Sequence, residues 1–95
     1  MAHVLASLRN VTLDAVKRRL EADAPEHAAE GLFLEHLWQN IDDVNEVLFV
    51  FRVTDLDTAR KSVARKHQEA RRANPNANLP KMTFLDEAPV FAHAR

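Results

Sequence analysis

Residues 46–53 read EVLFVFRV, apolar at every position from Val47 to Val53 except Arg52. A strand with one wet face alternates apolar and polar residues, whereas a nearly unbroken apolar run predicts burial on both faces. Helices lying on one side account for Val47, Phe49, Phe51 and Val53. Leu48 and Val50 then project from the other side and need a cover of their own. What the rest of the chain can supply decides the fold.

Upstream, HVLASLR (residues 3–9) places Val4, Ala6 and Leu8 on one face, and reads as a first strand. Thr12 is suited to cap a helix whose Leu13, Val16 and Leu20 recur at helical spacing, with Lys17, Arg18 and Arg19 turned outward. Pro25 predicts a break and a new short turn, because proline removes a backbone donor inside a helix. Gly31, the only glycine, stands where a helix would hand over to a strand. LFLEHLWQ is a second strand, and NIDDVN a hairpin loop of turn-forming side chains. After EVLFVFRV, Thr54 and Asp57 approximate a capping box for a long helix whose inward stripe is Leu56, Ala59, Val63, His67 and Ala70. PNANLP ends it, KMTFLDE is a fourth strand, and the tail PVFAHAR is expected to add a short pairing.

The order β-α-β-β-α-β is that of the ferredoxin-like fold, an α+β arrangement with a four-stranded antiparallel sheet and both helices on one face. The other face is bare. Exposing several large apolar side chains forgoes roughly 1.5–3 kcal/mol for each one that could be buried. The economical cover is a second copy, packed sheet to sheet about a two-fold axis. The predicted partner is therefore the protein itself.

Composition sets the limits. The 95 residues are read as a single domain over 1–95, with 46% hydrophobic and 28% charged residues. A formal charge of −1 gives no general attraction to nucleic acid or acidic membranes, so neither is expected as a partner. The absence of cysteine excludes disulfides and thiol chemistry and fits a cytoplasmic setting. No signal peptide is read at the N-terminus, and no run reaches the ~20 apolar residues of a membrane span.

The segments LWQNIDDVNEVLFVFRVTDLDTAR (37–60) and LPKMTFLDE (79–87) resemble the small stand-alone members of the dimeric α+β barrel superfamily. The likeness lies in Trp38, in the turn Asp42, Asp43, Asn45, Glu46 and Val47, in the helix start Asp55, Leu56, Ala59 and Arg60, and in the terminal strand Thr83 to Glu87. The first strand and helix match only in pattern, and Val44 stands where the family usually has proline. The resemblance implies a dimer with a pocket between helices and sheet. Its members include antibiotic-biosynthesis monooxygenases that need no bound cofactor, haem-degrading enzymes, polyketide cyclases, muconolactone isomerases and ligand-sensing domains. The haem-degrading members carry a tryptophan and a histidine on the second helix. Here that helix has His67 and no tryptophan, so that reading is declined. The expectation is a protein that binds a small apolar or aromatic molecule without a cofactor, as a monooxygenase- or cyclase-type enzyme; the alternative is a non-enzymatic sensing or structural dimer.

His67 is the candidate catalytic residue, since an imidazole facing the sheet can exchange a proton near neutral pH; the alternative is a packing histidine. His36 and Trp38 are candidate ligand-binding residues, placed on one face of their strand with Leu32 and Leu34; packing in the core or dimer interface is the alternative. Arg52 is expected on the bare face, binding an anionic group or pairing across the dimer with Glu35. The DDVNE cluster lacks the spacing of a calcium loop, so turn chemistry is preferred and no metal is predicted. Six cations on the second helix (Arg60, Lys61, Arg65, Lys66, Arg71, Arg72) have no interleaved aromatic residues, and read as a solvated face rather than a phosphate-binding one.

Overall fold

The computed structural model describes residues 1–90, so most of the tail 89–95, for which a pairing is expected, lies outside the described residues. The elements follow the expected order: β1 (Ala2–Arg9), α1 (Leu13–Ala29), β2 (Leu32–Gln39), β3 (Glu46–Val53), α2 (Leu56–Ala73) and β4 (Lys81–Asp86). One antiparallel sheet has the order β2-β3-β1-β4. Strand β3 is central, as its apolar run requires. Val47, Phe49, Phe51 and Val53 are buried beneath the helices with Val4 and Ala6 of β1, while Leu48, Val50 and Arg52 alternate onto the open face.

The loop after β2 is built by side chains standing in for backbone. Asn40 Oδ1 accepts from the Asp42 N–H at 2.8 Å, and Asp43 Oδ1 from the Asn45 N–H at 3.0 Å. Glu46 then ties the hairpin to β1, accepting from Asn40 Nδ2 at 2.7 Å and Ser7 Oγ at 3.1 Å. Those two hydrogen bonds hold its carboxyl below the usual glutamate range.

Four local expectations are corrected. Helix α1 runs unbroken through Pro25, which lies on the exposed side, where the carbonyl it leaves unpaired can be hydrated. The α2 N-cap is Asp55, not Thr54: Asp55 accepts from the Thr58 N–H at 3.1 Å and from Thr58 Oγ1 at 2.8 Å. Leu56, expected inward, is 41% exposed; the buried positions of α2 are Ala59 and Ser62. Finally, β2 carries a bulge between Leu34 and His36, which reverses its faces partway along. Gly31 closes α1 at φ +78°, and a Cβ there would stand 2.8 Å from Thr54 Oγ1, so no other residue fits without strain.

Candidate functional site

Between the two helices and the sheet lies a cleft of about 450 Å³. Its floor is Phe49 and Phe51 of β3, and α1 contributes Val16, Leu20 and His27. Helix α2 contributes Ser62, Val63, Lys66 and His67. Apolar walls with a few convergent polar groups are the ordinary form of a small-molecule site.

One end of the cleft is held by ion pairs joining the helices. Lys66 Nζ lies 2.7 Å from Glu30 Oε1 and 3.1 Å from Glu26 Oε2, and Arg65 Nη2 lies 3.5 Å from Glu30 Oε2. Burial disfavours the Lys66 ammonium, but Glu30 and Glu26 together outweigh it and raise its pKa. Burial likewise works against the Glu30 carboxylate, yet Lys66 holds its pKa below the usual value. Ser62 stands close enough to Glu30 to assist, although its Oγ makes no hydrogen bond of good geometry.

The two imidazoles of the cleft come from opposite walls. His27 meets the Phe51 ring edge-on, with centroids 5.0 Å apart. Its pKa is lowered first by burial and then by Lys66, against the opposing pull of Asp23, Glu30 and Glu26. The His67 pKa is lowered by burial and by Arg71. Both rings are therefore neutral at pH 7, fit to accept or donate one hydrogen bond each.

These shifts set a pH dependence. The unfolded chain, with histidine pKa values of roughly 6.5, takes up protons before the folded one does. Stability from these groups is thus complete above that value and is lost as pH falls through the folded pKa values. The urea midpoint should fall between pH 7.5 and 5.5, and His27→Gln should flatten that slope. Equilibrium unfolding at the two pH values checks it.

The residues singled out from the sequence divide between two faces of the sheet. His67 lines the cleft. His36, Trp38 and Arg52 do not: the bulge at Glu35 puts His36 opposite Val50 and Trp38 opposite Leu48 on the open face, whereas Leu32 and Leu34 stay on the helix side. The expected sharing of one face with Leu32 and Leu34 fails for that reason. His36 and Trp38 do stack, with centroids 5.0 Å apart and planes 9° from parallel. Arg52 lies over the Phe33 ring at 4.8 Å and 3.7 Å from Glu35 of its own chain, so that pairing needs no second copy. Glu35 also meets His3 Nε2 at 2.9 Å.

His27, Glu30 and Ser62 were not singled out from the sequence, and Lys66 was read only as part of a solvated face. His27 continues the Val16–Leu20 stripe after a further seven residues, a helical spacing that the supposed break at Pro25 concealed. The cations of α2 are not one solvated strip either. Lys66 turns into the cleft, and Arg60 covers the Phe84 ring at 4.6 Å.

No protein-family model and no curated protein matches the chain. Solved structures do match it along nearly its whole length. One, from Deinococcus radiodurans and described as a candidate antibiotic biosynthesis monooxygenase, is 14% identical, covers 96% of this chain and 96% of its own, and superposes with a TM-score of 0.61. Another, described as an antibiotic biosynthesis monooxygenase, is 19% identical, covers 94% of this chain and 100% of its own, and gives a TM-score of 0.59. At these identities the likeness shows the fold alone, a ferredoxin-like α+β fold.

Proposed function

We propose that the chain is a single dimeric α+β barrel domain, working in the cytoplasm, which binds a small apolar or aromatic molecule between its helices and sheet. We assign it monooxygenase- or cyclase-type chemistry without a bound cofactor. The observation that carries this reading is the cleft itself, about 450 Å³ of mostly apolar wall with an imidazole from each helix. Either chemistry on an aromatic or polyketide-like substrate can start by removing a proton from an acidic O–H or C–H group. A neutral imidazole is suited to receive that proton near pH 7. The names of the two similar structures support the monooxygenase branch of the reading.

A second reading, a ligand sensor without turnover, is favoured by one observation. Neither His27 nor His67 has a carboxylate within hydrogen-bond distance among the described residues to fix its tautomer, as a dedicated base commonly has. One experiment separates the two. A panel of aromatic compounds is offered to the full chain, with binding read as a rise in unfolding midpoint and turnover read by mass spectrometry. An oxygenated or ring-closed product, falling about 100-fold or more in rate in the His27→Ala/His67→Ala protein while the dimer persists, supports the enzyme. Binding with no product establishes the sensor. Trp38 emission is no reporter of this site, because the tryptophan lies on the opposite side of the sheet.

A further inference from the structure

The charged side chains that reach the cleft already have partners. Lys66 is paired with Glu30 and Glu26, and Arg19 Nε lies 2.7 Å from Asp23 Oδ2. The Asn78 amide is engaged as well, donating to the Arg9 carbonyl. What remains without a hydrogen-bond partner among the described residues is uncharged: the imidazoles of His27 and His67, and the hydroxyl of Ser62. Ser62 is the sharpest of these. It is 6% exposed, the only buried polar residue among those described, and its Oγ, although near the Glu30 carboxylate, makes no hydrogen bond of good geometry. Native interiors pair nearly every such group, so a buried orphan at the wall of a cleft points to something that completes it.

We infer that the occupant of the cleft is an uncharged molecule with an apolar body and a hydroxyl or carbonyl group, seated so that this group meets Ser62 Oγ. The inference deepens the proposed function and rests on the cleft being the binding site. An entering carboxylate would have to displace Glu30 or Asp23 from its cation, or lie unpaired beside them. An ammonium meets the same obstacle at Lys66 and Arg19. Either charge loses its hydration for hydrogen bonds from neutral groups only, with no free opposite charge in return. A neutral oxygen loses little on leaving water and gains the Ser62 hydrogen bond, while its apolar body covers Val16, Leu20, Phe49 and Phe51. A site that offers such a group disfavours analogues that lack the complement.

Three probes sharing one apolar body test this: naphthalene, naphthol and naphthoate, titrated against the full chain at pH 7 and followed by amide NMR shifts of cleft residues. Naphthol should bind about five- to tenfold more tightly than naphthalene, the margin of one added hydrogen bond, and naphthoate more weakly than naphthol. Ser62→Ala should erase the naphthol advantage while leaving naphthalene binding unchanged. Its unliganded midpoint should change little, since Ser62 Oγ makes no hydrogen bond of good geometry in the unliganded chain. Naphthoate binding as tightly as naphthol would overturn the preference for an uncharged ligand. An advantage that survives Ser62→Ala overturns the role of Ser62, and a lower midpoint alongside it assigns the hydroxyl to Glu30. If none of the three perturbs any cleft residue, the binding site itself is wrong, and this inference falls with it.

Discussion

Leu48→Asp is expected to turn a dimer into a monomer. Leu48 lies on the open face of the sheet, paired in register with Ser7 of β1 and Trp38 of β2. Around it stand Leu5, Val50 and Trp38, with Phe33 and Leu85 nearer the margins. Phe33, Trp38 and Leu85 are 37%, 48% and 45% exposed in the single chain, a large apolar expanse for one surface. If a second copy covers it about a two-fold axis, each substitution occurs twice, near the centre of the interface. Desolvating an unpaired carboxylate costs several kcal/mol. Two of them raise the dissociation constant by about four orders of magnitude or more.

Wild-type protein should therefore sediment as a dimer at micromolar concentration, with an unfolding midpoint that rises with protein concentration. The Leu48→Asp protein should sediment at half that mass, with a midpoint independent of concentration. Trp38 supplies the optical readout for this event, since an interface on the open face would cover it. A wild-type monomer at high concentration would remove the basis for the barrel.

Phe51→Ala should be the most damaging single truncation of the core. Phe51 is 3% exposed and sits in central strand β3, opposite Val4 on one side and Leu34 on the other. Its ring meets Phe49 at 5.7 Å and His27 at 5.0 Å, both edge to face. It also forms part of the floor of the cleft, with Phe49. Truncating a buried phenylalanine costs about 3–5 kcal/mol, a large share of the stability of so small a domain. Urea unfolding should show a much lower midpoint at unchanged slope. Phe51→Leu, which keeps most of the volume, should lose far less. The same truncation removes the edge-on partner of His27, so ligand binding should weaken even where the chain still folds.

The element order was legible in the residue pattern, and EVLFVFRV was enough to put β3 at the centre of the sheet. Alternation at period two leaves only one assignment of Val47, Phe49, Phe51 and Val53 to the helix side, and it leaves Leu48 and Val50 on the other. His67 reached the cleft for a similar reason, since helical spacing carried it round to the face of Ala59 and Val63. Other features came only from long-range packing. The bulge at Glu35 adds one residue to β2 and sends His36 and Trp38 to the open face, and no local pattern in LFLEHLWQ marks where a strand will slip against its neighbour. Helix α1 continues through Pro25 because packing of its Val16–Leu20 face on the sheet outweighs the one hydrogen bond lost on the wet side, and that continuation brings His27 to the cleft. Lys66, Glu30 and Ser62 read as ordinary surface residues one at a time. Their pairing, and the orphan hydroxyl among them, depends on how two helices distant in sequence lie over one sheet, and side-chain pattern within either helix carries no information about that.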